Sequence, residues 1–181
     1  MEGYKAHETK KLKPEFLYHG STNAEITEFT PKISVGSGEK YGEKIYATPN
    51  KALATVFLCK LDKPWSAGMY SGIPVAVLPI AREEFLETDF GGTLYTLPSA
   101  SFEQNANELA GDEWASSKPI EPNEKKFYPS ALDAMLEHGV QVYFVDDHTK
   151  SEIADTNDGG ASVLRTLISE NQRQNRNVLS F

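Results

Sequence analysis

Apolar residues along this chain fall into many short runs broken by Gly, Pro, Asn and Ser, plus three stretches with helical spacing. Phe16-Leu17-Tyr18-His19 predicts an aromatic strand stopped by Gly20 and Ser21, and Ile26–Pro31 a second brief extended piece. Ile45–Thr48 predicts a strand that Pro49 breaks. Pro74–Ile80 predicts a β-branched strand, with Pro79 marking an edge or a bend. Phe85–Thr88 and Thr93–Leu97 flank Asp89-Phe90-Gly91-Gly92, the pattern of a hairpin. Glu113–Ile120 and Val140–Val145 complete the extended set.

Helices are expected where capping residues stand. Asn50 precedes Leu53, Ala54, Phe57, Leu58 and Leu61, spaced three or four apart, which predicts a helix to about Lys60. Ser130 caps Ala131–His138, and Gly139 supplies a left-handed stop. A last helix starts near Ala161 with Val163, Leu164, Leu167 and Ile168 on one face. The glycine-containing segment Ser34–Lys44 reads as a polar loop, and Asp155–Gly160 as a turn-rich connection. Short strands without regular βαβ alternation predict an α+β fold on antiparallel sheets. A polar tail over residues 1–14 and one domain over 15–181 complete that expectation.

Composition narrows the functional classes. Leu, Ile, Val and Phe number 41 of 181 residues, roughly 23% and above the ~20% that marks disordered chains. No apolar run approaches the ~18–20 residues of a membrane span. Eighteen basic against 26 acidic side chains give a net charge of −8. That balance opposes binding to phosphate backbones, whose affinity rests on cationic faces. Met1 is followed by polar residues and Cys59 is the single cysteine. Together these predict a chain of the reducing cytoplasm with no disulfide and no thiolate metal cage. Cys59, among Val56, Phe57, Leu58 and Leu61, reads as a small buried hydrophobe.

Several familiar motifs fail on inspection. Gly36-Ser37-Gly38-Glu39-Lys40 lacks the ending and spacing of a phosphate loop, and Ser37 lacks the glycines of a nucleophile elbow. His7, His19, His138 and His148 show no paired spacing for a metal, so none is expected. His138 reads as a cation at a helix C-terminus. One constellation survives. Leu17-Tyr18-His19-Gly20-Ser21-Thr22 sets a histidine at a strand end, followed by glycine and two hydroxyls; Ile45-Tyr46-Ala47-Thr48-Pro49 ends another strand with a tyrosine. Phe57 follows eleven residues after Tyr46, about three helical turns.

This pattern resembles the ADP-ribosyltransferase fold, in the His–Tyr–Glu branch of diphtheria toxin and the poly(ADP-ribose) polymerases. The resemblance covers residues 16–60 well and the remainder by order and spacing. It implies two small split antiparallel sheets around a cleft for NAD, with peripheral helices. It implies that His19 bonds the adenosine ribose, that the Gly20 backbone holds the nicotinamide amide, and that Ser21 contacts the nicotinamide ribose. Tyr46 and Phe57 would sandwich the nicotinamide ring. The third triad member falls on Glu113 in Gly111-Asp112-Glu113-Trp114, with Asp112, Glu108 and Glu121 as competing carboxylates. Catalysis would then rest on His19, Tyr46 and Glu113. The second aromatic is Phe rather than Tyr, and no Glu or Gln stands two residues before Glu113. That spacing argues against the branch that modifies arginine.

The chemistry gives these residue types a reason. Cleaving the nicotinamide–ribose bond passes through an oxocarbenium-like state, which a nearby carboxylate stabilises. Aromatic rings fix the flat leaving group, and no metal is required. The expected activity is ADP-ribosyl transfer from NAD to an unidentified acceptor, or NAD hydrolysis. Lys40 or Lys44 in the polar loop is a candidate for the pyrophosphate. Two rival readings stand: an NAD-dependent RNA 2′-phosphotransferase, disfavoured by the acidic charge, and a non-catalytic binding module on the same fold.

Overall fold

Because apolar runs are short, the chain builds its core from three small sheets rather than one large one. The computed structural model describes residues 12–33, 42–61, 65–104, 112–155, 161–174 and 178–180. In chain order come β1 (Phe16–Ser21), β2 (Lys32–Ile33), β3 (Glu43–Ala47), α1 (Lys51–Thr55), a 3-10 turn (Val56–Leu58), β4 (Ser66–Tyr70) and β5 (Ile73–Leu78). Next are α2 (Arg82–Thr88), β6 (Gly92–Pro98), β7 (Glu103–Gln104), β8 (Trp114–Ser116), β9 (Glu124–Tyr128) and α3 (Ala131–Glu137). The remainder is β10 (Gln141–Phe144), α4 (Asp147–Asp155), α5 (Ala161–Gln174) and β11 (Val178–Ser180). The strands order as β1-β6-β9, β2-β3-β8-β7 and β11-β10-β5-β4. The fold is mixed α+β.

The first two sheets are antiparallel throughout. The third departs from the expected antiparallel design, since β10 runs parallel to both β5 and β11. Parallel pairs require cover on both faces. Ala76, Leu78, Val142 and Phe144 face a core shared with α1 and α3, while Val75, Val77, Tyr143 and Val145 pack with Leu164, Leu167 and Ile168 of α5. The unbroken run Val75-Ala76-Val77-Leu78 is the sequence trace of that double burial. A separate core lies between the other two sheets, built from Leu17, Phe29, Ile45, Ala47, Tyr95, Leu97, Phe102, Trp114 and Ile120.

The expected hairpin around residues 89–92 is not formed. Phe85–Thr88 belongs to α2, whose three glutamates and Leu86 favour helix, and buried Phe85 meets Phe144 with ring centroids 5.4 Å apart. Asp89 both closes a local turn onto Gly91 and caps the start of α3. Its Oδ1 accepts from the backbone N–H of Ala131 at 2.7 Å and of Gly91 at 3.0 Å. Its Oδ2 accepts from Leu132 N–H at 3.1 Å and from the Ser130 hydroxyl at 2.8 Å. Ser130 Oγ accepts in turn from Asp133 N–H, and Gly139 stops α3 at φ 80°, both as the sequence predicts.

Asn50 Oδ1 caps α1 as expected, but the helix tightens into the 3-10 turn after Thr55 instead of running to Lys60. Within Ile26–Pro31 the described pairing is a bridge from Phe29 to Ile120. Residues 1–11 and 156–160 lie outside the described set. The end of the polar N-terminal stretch is tied down: Lys13 Nζ donates to Ala100 O at 2.8 Å, and Ser99 Oγ donates to Pro14 O. No helix among the described residues is long and apolar enough to cross a membrane.

The Asp89 clamp makes a direct prediction. Asp89→Asn keeps one acceptor oxygen and removes the charge that assists four hydrogen bonds. Charge-assisted bonds are each worth about 1.5–3 kcal/mol, so a net loss of roughly 2 kcal/mol is expected. Guanidinium unfolding monitored by circular dichroism reads it, and an unchanged midpoint would mean the clamp is energetically idle.

Candidate functional site

The site begins where β1 and β3 meet and then part. Tyr18 N–H donates to Thr48 O at 2.8 Å and Thr48 N–H to Tyr18 O at 3.0 Å. A continuous antiparallel ladder would next join Gly20 to Tyr46 in the same way. Instead, the His19 ring reaches across, and its Nδ1–H donates to the Tyr46 carbonyl at 2.7 Å. That carbonyl fixes the tautomer and leaves Nε2 as an acceptor. Backbone polar groups alternate sides along a strand, so those of Gly20 point into the same gap as Tyr18's. The imidazole thus ends the ladder and leaves the buried Gly20 backbone directed into the gap between β1 and β3.

Gly20 is required there for a second reason. A Cβ at Gly20 would stand 2.1 Å from Ala54 O and 3.0 Å from Phe57 Cβ. Gly92 on the neighbouring strand is equally tight, 2.6 Å from Leu58 O and 2.7 Å from Ser21 O. These two glycines let α1 and its 3-10 turn lie directly on the sheet. Val56 and Leu58 are fully buried, while Phe57 between them is 42% exposed. Its Cβ therefore stands over Gly20, and its ring meets Trp65 edge-on with centroids 5.1 Å apart.

Strand alternation sorts the remaining candidates. Ile45 and Ala47 face the core between the sheets, so Tyr46 faces the opposite side, the one it shares with Gly20. Tyr46 is the register partner of Ala115, and Glu113 is two residues from Ala115, alternating with buried Trp114. Trp114 turns into the core as expected, and continued alternation would set Glu113, just before β8, on the Tyr46 side. On that alternation Gly20, Tyr46, Phe57 and Glu113 come to one side of the sheets.

Other residues do not join them. Ser21 lies on the His19 face, paired with Thr93, and its Oγ accepts from Asn23 N–H at 3.1 Å in a local turn. Lys44 Nζ donates to Ser117 Oγ. Glu121 is exposed beyond the Phe29–Ile120 bridge, and Asp112 precedes Glu113 in a turn. Ser37, Lys40 and Glu108 lie outside the described residues. Sequence pattern does not reveal Glu103, which pairs with Ala115 from the other flank and so shares a face with Tyr46. Nor does it reveal Trp65. A two-residue strand and a single tryptophan after a Lys-Pro pair carry no pattern that marks either.

Electrostatics separate the histidines. Burial holds the His19 pKa below its ordinary 6.5, against the opposing pull of the Tyr46 carbonyl, so the ring is neutral near pH 7. His138 is corrected from cation to neutral base. Burial and the nearby Lys51 charge lower its pKa, and its Nε2 lies 2.8 Å from the Tyr128 hydroxyl. Burial and the Asp89 charge push the Cys59 thiol up to about 12, consistent with its reading as an inert hydrophobe. Two buried hydroxyls, Tyr46 Oη and Thr93 Oγ1, have no hydrogen-bond partner among the described atoms.

The site is therefore the buried Gly20 strand-end backbone with two aromatic rings and a carboxylate on its side of the sheets, and a neutral histidine that bonds the Tyr46 carbonyl from the Phe29 face. These groups suit binding a flat amide-bearing ring and stabilising positive charge beside it. Among the described residues, no group of three or more His, Cys, Asp or Glu side chains is arranged to hold a metal. Comparison of the chain with protein-family models, with curated proteins and with solved structures finds no match.

Two outcomes follow from these surroundings. Both His19 and His138 have folded pKa values below the unfolded one, so the unfolded chain takes up protons first as pH falls. Their contribution to stability is complete above pH 6.5 and is lost as pH drops toward the folded values. His19→Gln should flatten part of that slope, read from unfolding midpoints at about pH 7.5 and about pH 5.5. Tyr46→Phe removes a buried hydroxyl that makes no bond. Its melting temperature should hold or rise, by up to about 1–2 kcal/mol in stability, since an unpaired buried polar group carries a desolvation penalty of that order. A clear drop would reveal a bond to that oxygen.

Proposed function

We propose that this chain cleaves the nicotinamide–ribose bond of NAD and passes the ADP-ribosyl group to an acceptor or to water. On this reading the two antiparallel sheets parting between β1 and β3 form an ADP-ribosyltransferase-type core. The observation that carries it is the interrupted ladder: His19 holds the Tyr46 carbonyl, and the Gly20 backbone faces the gap. One N–H and one C=O from the same glycine match the acceptor and donor of a carboxamide. Phe57 over Gly20, with Tyr46 on the same side, supports a clamp for the attached ring.

In the reaction the C–N bond breaks, its electron pair leaves with neutral nicotinamide, and the ribose carbon becomes oxocarbenium-like. Glu113 stabilises that charge and orients a ribose hydroxyl. The acceptor's nucleophilic atom then bonds to the ribose carbon and its proton passes to solvent. His19 contributes a neutral Nε2 acceptor to the adenosine ribose.

Incubation with NAD labelled in the nicotinamide ring tests the reading, with release of free nicotinamide expected. Glu113→Gln keeps shape and loses charge, so it should act on the transition state more than on the ground state. NAD affinity is expected to change less than about tenfold while nicotinamide release falls about a hundredfold, roughly 3 kcal/mol. Gln at Asp112, Glu121 or Glu103 should do much less. A silent Glu113→Gln beside a dead neighbour reassigns the carboxylate. Tight NAD binding without any release by the parent would favour the non-catalytic module.

A further inference from the structure

We infer that Trp65 is a positioning residue for the site, holding the Phe57 ring in the orientation that receives a flat heteroaromatic ligand. This rests on the proposed clamp but adds a residue that no motif marks. Phe57 is the outward member of a 3-10 turn whose neighbours Val56 and Leu58 are fully buried. Its backbone and Cβ stand close over Gly20. An exposed phenylalanine on a fixed backbone is free to exchange rotamers on its own.

Trp65 removes that freedom. The two rings meet at 70° with centroids 5.1 Å apart, the edge-to-face arrangement that aromatic quadrupoles favour. Trp65 is itself anchored: it packs partly buried against the main core and leads into β4, which pairs along β5. The contact thus ties an exposed ring to the rigid mixed sheet. It leaves part of Phe57 uncovered, at 42% exposure. Such a held, half-open ring is suited to stacking and needs little reordering when a ligand arrives.

The test uses the full chain with nicotinamide and NAD as probes, and it has a ligand-free arm. Trp65 and Trp114 are the tryptophans, and Trp114 is only 5% exposed, so ligand-dependent quenching should come from Trp65. Trp65→Phe keeps an edge contact and should abolish the quench while preserving the calorimetric affinity. Trp65→Ala should weaken affinity by about threefold to tenfold, the range that a lost aromatic pair converts to. Where Trp65→Ala fails to fold, Trp65→Leu takes its place. The ligand-free arm measures Phe57 side-chain couplings by NMR, with rotamer averaging expected in Trp65→Leu and absent in Trp65→Phe.

Unchanged Phe57 couplings in Trp65→Leu overturn the inference, whatever NAD does. Equal loss of affinity in Trp65→Phe and Trp65→Leu also overturns it, because the indole would then be touching the ligand itself. If the parent binds neither NAD nor nicotinamide while the couplings respond as expected, the proposed function falls and the positioning role stands.

Discussion

A single side-chain-to-backbone hydrogen bond organises this molecule's candidate site. Two strands that have begun to pair at Tyr18 and Thr48 would gain by continuing, since each further ladder step satisfies two more backbone groups. His19 prevents it by bonding the Tyr46 carbonyl itself. The carbonyl is satisfied, so the interruption is inexpensive, and the buried Gly20 backbone is left facing the gap between β1 and β3. Burial keeps the imidazole neutral, which suits it to donate through one nitrogen and accept through the other. A larger polar chain would force the strands apart, and a smaller one would let them close.

The gap persists because it is braced on both sides. Beneath it, Gly20 and Gly92 admit α1 and the 3-10 turn to backbone contact, so the strand-end cannot shift without driving a Cβ-free surface into Ala54 or Leu58. Behind the turn, α3 is locked to the start of β6 by the Asp89 carboxylate. The mixed sheet, buried on both faces, carries Trp65 and through it Phe57. Rigid scaffolding around a partly exposed cluster is the arrangement that preorganised sites require.

Much of this is legible in the amino-acid sequence. The strand at Phe16, the Asn50 and Ser130 caps and the Gly139 stop rest on local chemistry, which local sequence records. What the sequence conceals is tertiary. Asp89 beside Gly91-Gly92 has the composition of a turn, and only its closeness in space to Ala131 and Leu132 makes it a cap. β7 and β9 lack apolar alternation: Glu124–Tyr128 is held by pairing to β6, with Tyr128 its single buried side chain. Ser21 stands next to Gly20 in the chain, yet a period of two sends neighbours to opposite faces. His138 loses its expected charge to burial and to the Lys51 and Lys126 charges brought from other elements.

Charge sets the remaining constraint on the proposed chemistry. With a net charge of −8, the chain as a whole repels a dinucleotide whose diphosphate is anionic, so long-range steering cannot supply the affinity. Lys44, two residues before Tyr46 on β3, is turned to Ser117. On the proposed reading, affinity for NAD would therefore come from short-range terms: stacking against Tyr46 and Phe57, and directional bonds to the Gly20 backbone and His19. Such terms act on the nicotinamide and ribose, beside the bond that breaks. They would recognise the reacting end of the ligand more than its charge, and the proposed role of Glu113 is then to match its negative charge to the transition state rather than to the bound dinucleotide.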